Sequence, residues 1–120
     1  MNYGDLSTEA RELVLFSENE ERIYRQEQSI YKNLDRKKAK GIFDIGKAAK
    51  LFRYETDAAA KLYTQEFGRE DGRYAPIFST KDRQEAAEFM ARAYESSYRG
   101  RLDSGEAWQP KKKSSKTRSR

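Results

Sequence analysis

Cysteine and histidine are missing altogether, so the chain has no disulfide framework, no Cys/His zinc site, no thiol nucleophile and no imidazole base. Those absences remove most small metallo-modules and most hydrolase machinery. Neither an enzymatic activity nor a cofactor or metal is expected. Long apolar runs are absent too, since no stretch approaches the roughly 18 residues that a membrane span needs. The opening Met-Asn-Tyr-Gly-Asp lacks a cationic flank leading into an apolar run. The expectation is a soluble, cytoplasmic protein without a membrane partner.

What the chain does have is charge. Asp, Glu, Lys and Arg make up 38% of its 120 residues, against about 25% in an average soluble domain. With 36% hydrophobic residues, one domain with a modest core is the most it builds. The net charge of +5 is unevenly placed. Residues 111–120 hold six cations and no anion, so the remainder is nearly neutral. Within that remainder, residues 1–31 carry three cations and seven anions, residues 32–53 eight and two, and residues 54–110 eight and eleven. Alternating acidic and basic segments on a small body create surfaces of opposite sign.

Hydrophobic periodicity predicts helices throughout. Ala10, Leu13 and Val14, with Phe16, give a short first stripe behind the Leu6-Ser7-Thr8 start signal. Ser17-Glu18-Asn19-Glu20 fits a capping box, which predicts a break and a second helix from there in preference to one unbroken helix from Thr8 to Lys40. That helix carries Ile23, Tyr24, Glu27, Ile30, Tyr31 and Leu34 inward and ends at Gly41 behind a run of lysines. Asp44 caps a third helix with Ile45, Ala48, Ala49 and Phe52 on one face, and from Arg53 the pattern resumes with Thr56, Ala59, Ala60, Tyr63 and Phe67, either as the same helix running on through Tyr54 or as a separate one. Residues 68–76, with two glycines and a proline, read as a loop. Ser79 to Asp82 caps a last helix whose buried face is Ala86, Phe89, Met90, Ala93, Tyr94 and Ser97 or Tyr98, ending at Gly100. No strand pattern or internal repeat is present. The fold expected is all-α, a small bundle of four to five helices over residues 1–100, with a flexible, disordered basic tail over residues 101–120.

Two groups of cations are the candidate nucleic-acid contacts. The first is Lys32, Arg36, Lys37, Lys38 and Lys40 on the second helix with Lys47, Lys50 and Arg53 on the third. Lys32, Arg36 and Lys40 lie four apart, and Lys47, Lys50 and Arg53 three apart, so each set follows one helical face. Two such rows joined at Gly41 suit a phosphate backbone; a solvated face balanced by Glu18, Glu20, Glu21 and Glu27 is the plainer alternative. The second group is Lys111, Lys112, Lys113, Lys116, Arg118 and Arg120. A flexible cationic arm releases counterions from phosphates without needing a fold.

The segment Ile45-Gly46-Lys47-Ala48-Ala49-Lys50-Leu51-Phe52 resembles the opening helix of winged-helix repressors of the mercury-resistance regulator type. The resemblance covers eight residues and implies a helix-turn-helix that contacts DNA. Phe52-Arg53-Tyr54-Glu55 then supplies no glycine for the turn, and Glu55 and Asp57 would face phosphate, so an ordinary alanine-rich packing helix is the competing expectation.

Eight tyrosines and one tryptophan complete the inventory. Tyr24, Tyr31, Tyr63 and Tyr94 fall on apolar stripes and are expected in the core. Tyr54, Tyr74 and Tyr98, each near an arginine, are candidates for a partner interface, together with Trp108 in the polar tail, which reads as an anchor docking on this domain or on a partner, or as a stray exposed indole. Glu66, Glu70 and Asp71, and Asp82 with Glu85, come nearest to a Mg²⁺ or acid–base grouping but are too few for a metal-using nuclease. The expected function is a non-enzymatic nucleic-acid-associated protein that contacts phosphates of DNA or RNA. The alternative is a protein-binding inhibitor or adaptor of the kind phages encode, its acidic stretches mimicking phosphate. A homodimer through Ile23, Ile30 and Leu34 is a further expectation.

Overall fold

The computed structural model of the chain describes residues 2–67 and 78–110. Its regular elements are a 3-10 turn at Tyr3–Asp5 and four α-helices: α1 (Thr8–Asn19), α2 (Glu21–Lys40), α3 (Ile45–Phe67) and α4 (Thr80–Asp103). The described residues contain no strand, and the all-α bundle expected from periodicity is the fold. The predicted loop 68–76 and the cations from Lys111 onward lie outside the described residues.

Local chemistry fixes most helix ends. Ser7 caps α1 by accepting the Ala10 amide at 3.1 Å. Gly41 ends α2 in the left-handed region at φ 75°, and the Ile42 amide reaches back to the Lys37 carbonyl at 2.9 Å. Asp44 accepts the Lys47 amide at 2.8 Å to start α3. At α4 the expected capping box forms reciprocally, Asp82 N–H donating to Ser79 Oγ and Ser79 N–H to Asp82 Oδ2, both at 3.0 Å.

The break between α1 and α2 is present, but not where Ser17 was expected to make it. Glu20 alone leaves the helical region (φ −94°, ψ 118°), and its own carboxylate caps α2 by accepting the Arg22 amide at 3.2 Å. That amide, with the Arg22 side chain, holds the Glu20 carboxyl below the usual carboxylate range. Ser17 instead lies inside α1, fully buried, with no partner for its hydroxyl.

The core is built where α3 and α4 cross, and alanine makes that crossing close. Ala48, Ala49, Ala59 and Ala60 of α3 and Ala86, Ala87 and Ala91 of α4 are all buried in one core, so large side chains come mainly from elsewhere. Ala93, expected inward, is exposed, because the alanine face of α4 runs through Ala87 and Ala91. Phe52, Leu13, Leu34 and Tyr94 fill the centre, and Tyr31 sets its edge against Phe52 at 6.0 Å and Tyr94 at 5.0 Å. Ile23, Ile30 and Leu34 are all buried within this core, so the seam expected for a homodimer is used up inside one chain.

Asp82 also joins α4 to α1, accepting from the Ser7 hydroxyl at 3.1 Å while Glu85 accepts the Ser7 amide at 3.1 Å. The Asp82 and Glu85 pair therefore holds two helix ends together. Ser79→Ala is expected to cost about 1 kcal/mol, lowering the thermal midpoint by about 4–8 °C. Circular dichroism melting checks the value.

One buried group has no such partners. Glu55 on α3 is completely buried, and neither carboxyl oxygen closes a hydrogen bond of ordinary geometry. Burial, then the facing Glu27 of α2 and Glu18 of α1, push its carboxyl up to about 10, so it stays protonated at neutral pH. Glu27, also desolvated, is raised as well.

Candidate nucleic-acid interface

Asp35 organises a surface where cations and aromatic rings meet a hollow. It follows Leu34 on α2 and points inward, 2% exposed. Its carboxylate accepts four hydrogen bonds. Tyr94 Oη donates at 2.6 Å, Arg101 donates through Nη1 at 3.1 Å and Nη2 at 2.6 Å, and the Trp108 amide donates at 2.9 Å. The Arg101 guanidinium also lies over Tyr31 at 4.9 Å and Tyr94 at 5.5 Å. Burial first, and then Asp35, push the Tyr94 phenol well above its ordinary range, so it remains a donor.

This anchor corrects the expectation for the residues after Gly100. Helix α4 continues to Asp103 because Arg101 is held on α2. Gly105 then turns the chain at φ 84°, and the amides of Glu106 and Ala107 return to the Arg101 carbonyl at 2.8 and 3.0 Å. Residues 104–108 thus fold back against α2 rather than leaving the body, with Ala107 buried.

Between this returning turn and α2 lies a cleft of about 480 Å³, within the range of about 300–1,000 Å³ usual for small-ligand sites. Tyr24, Gln28, Tyr31 and Lys32 of α2 line it together with Arg101 of α4 and Glu106 and Trp108 of the returning turn. Burial and the Glu27 charge push the Tyr31 phenol up to about 12, leaving a neutral hydroxyl there. A second hollow of about 440 Å³ adjoins it along α2, lined by Gln28, Ser29, Lys32, Asn33 and Arg36. Trp108 stands at the boundary: it lines the larger cleft and carries the Arg36 guanidinium 5.3 Å from its ring centre.

Lys32, Arg36 and Trp108 are therefore brought together. Lys40 continues their row and is exposed, while Lys37 is half-buried. Lys38 is neutralised: its ammonium meets Glu95 at 3.6 Å and lies 4.4 Å over Phe43 and 5.3 Å over Tyr98. Arg53 turns inward to Asp57 at 3.0 Å and Gln84 at 2.9 Å. Lys47 and Lys50 are exposed on the outer face of α3 but line neither hollow. The helix-turn-helix implied by the resemblance at Ile45 does not form, since α3 runs unbroken through Phe52 to Phe67. Its Glu55 packs into the core rather than facing outward.

Among the aromatic candidates, Tyr54 is 69% exposed, as an interface residue requires. Tyr98 is not: it is half-buried against Tyr94 at 6.2 Å. Tyr74 lies outside the described residues, as do Glu70, Asp71 and the cations Lys111, Lys112, Lys113, Lys116, Arg118 and Arg120. Tyr24, expected in the core, is 47% exposed at the cleft. Its spacing held a usable signal. Tyr24, Gln28, Lys32, Arg36 and Lys40 form one unbroken i, i+4 row, of which the cations alone show only the last three members.

Comparison with family models, curated proteins and solved structures finds no match for this chain. Among the described residues no group of carboxylates is arranged to hold a metal ion, and no helix is long and apolar enough to cross a membrane.

Proposed function

We propose that this chain is a non-enzymatic nucleic-acid-associated protein, docking phosphates on the outer face of α2 and gaining further affinity from its C-terminal cations. The observation that carries it is the Lys32–Arg36 pair. Both side chains are exposed, neither makes an ion pair among the described residues, and they flank a hollow without an acidic wall. A guanidinium and an ammonium one helical turn apart meet neighbouring phosphate oxygens. Gln109 and Pro110 join this rim covalently to Lys111, so the six cations that follow begin three residues beyond Trp108. Linkage of that kind raises their effective concentration at any strand held on α2.

Titration with short single-stranded and duplex DNA and RNA over a salt series tests the proposal. Log affinity is expected to fall linearly with log salt, and removing residues 111–120 to flatten the slope by up to about 4 for single strands. Lys32→Ala combined with Arg36→Ala should weaken binding further at every salt concentration. Absence of binding at low salt overturns the proposal.

A protein-binding adaptor is the second reading, favoured by apolar side chains left in the open. Ile42 is 60% exposed and Ile45 38% exposed at the α2–α3 corner, besides Tyr54. Exposed large apolar groups clustered at a corner suit a partner surface. Recovery of one stoichiometric protein partner through nuclease treatment would favour it.

A further inference from the structure

We infer that the cleft beside Trp108 takes an unpaired base, so that the preferred ligand is single-stranded nucleic acid; the inference rests on the phosphate-docking role proposed above and gives its site a substrate class. The charges lining the cleft cancel. Lys32 and Arg101 stand against Asp35 and Glu106, and Asp35 already spends its oxygens on Tyr94, Arg101 and the Trp108 amide. Glu106, exposed on the wall, disfavours a phosphate inside. What the cleft offers is aromatic rings and neutral hydrogen-bonding groups: Tyr24, Tyr31 with Arg101 over its ring, Trp108 with Arg36 over its ring, and the carboxamide of Gln28. A nucleobase is flat, uncharged, apolar on its faces and polar at its edge, which matches that lining.

The adjoining hollow has the opposite character. Lys32 and Arg36 face it beside Ser29 and Asn33, and no acid lines it. The two hollows share Gln28 and Lys32, so a base in the first places its own phosphate at the second. From Tyr24 to Arg36 the row spans about 18 Å of helix, enough for a few nucleotides, the low end of single-strand site sizes. A duplex keeps its bases stacked and paired, so it can reach Lys32, Arg36 and Lys40 but cannot place a base against Trp108.

Trp108 is the chain's single tryptophan, so its emission reports on this cleft and on the Arg36 guanidinium at its border. The full chain is titrated at low salt with oligo(dT) and oligo(U) of about eight nucleotides, a blunt mixed-sequence duplex of equal length, and inorganic tripolyphosphate. Both single strands are expected to quench Trp108, and their relative affinity separates DNA from RNA as the source. Duplex and tripolyphosphate, which engage Arg36 over the ring but do not stack on it, should change the emission far less than the single strands. Tyr24→Ala should weaken the single strands about tenfold and the duplex less than about twofold. Trp108→Ala, followed by anisotropy of a dye-labelled strand, should lose the same factor with unchanged far-ultraviolet circular dichroism, because Asp35 holds the backbone of residue 108 and not its ring.

Equal quenching by duplex or tripolyphosphate overturns the base cleft, as does an equal loss of duplex binding in Tyr24→Ala. Salt-sensitive binding of every polyanion with constant Trp108 emission overturns the cleft but leaves phosphate docking standing. Absence of all binding overturns both.

Discussion

Asp35→Ala is expected to lower the thermal midpoint by roughly 10–20 °C, corresponding to about 3–5 kcal/mol. The carboxylate is the common acceptor for a phenol, a guanidinium and a backbone amide, and it is 2% exposed. Truncation leaves the Arg101 side chain, 16% exposed, without its counter-charge. It also strands the Tyr94 hydroxyl, on a residue that is itself fully buried. Each orphaned buried donor costs about 1–3 kcal/mol, although the losses share one origin and do not simply add. Asp35→Asn should be nearly as damaging, since its NH2 replaces an oxygen that accepts two hydrogen bonds and so turns a donor toward two donors. Pairing Asp35→Ala with Arg101→Ala should recover part of the loss, because the uncompensated charge leaves with its partner. A local readout accompanies the melt. Residues 104–108 hang on the Asp35 bond to the Trp108 amide, so the variant should expose Trp108, redden its emission and admit protease at Gly105.

That anchor was not legible in the sequence, and the reason is physical. Asp35 and Arg101 are 66 positions apart, and on a helical wheel Asp35 looks like one more charge in a charged segment. Composition marked residues from 101 onward as tail because Ser, Gly and charge dominate there. The segment is ordered by a few directed bonds to one carboxylate, not by apolar area, and periodicity cannot see such bonds. Elements with a local cause were legible. The caps at Ser7, Asp44 and Ser79 and the stop at Gly41 stand where the residue types predict, since each is settled within one helical turn.

The basic face was half legible for the same reason. Its spacing correctly grouped Lys32 with Arg36, as neighbours on one helix. Neutralisation of Lys38 by Glu95, and of Arg53 by Asp57 and Gln84, is decided by α4 packing against α2 and α3. Tyr24 shows the limit of apolar stripes as a guide. It sits beside Ile23, but one residue is about 100° of helix, which carries it from the core edge to the cleft wall.

Glu55→Gln should remove a pH dependence that the native chain carries. Glu55 lies at 0% exposure with Glu27 and Glu18 as its acidic company and no hydrogen bond of ordinary geometry to either oxygen. Its folded pKa is raised to about 10, whereas in the unfolded chain a glutamate titrates near 4.3. A raised folded value means that the folded chain binds the proton more tightly, so this contribution is fully present below about pH 4.3 and is lost as pH rises toward the folded value. Between about pH 5 and 9 the native chain is therefore expected to lose stability with rising pH, at up to about 1.4 kcal/mol per pH unit. The slope opposes the usual carboxylate behaviour, in which acid destabilises. Glutamine keeps the shape and cannot ionise, so Glu55→Gln should melt close to the native chain near pH 5 and above it near pH 8. Urea unfolding at both pH values gives the comparison directly. A native stability that is flat or rising from pH 5 to 8 would show that Glu55 ionises freely in the folded chain. Glu55→Leu should gain in the same direction, since apolar volume replaces a buried polar group that closes no hydrogen bond of ordinary geometry.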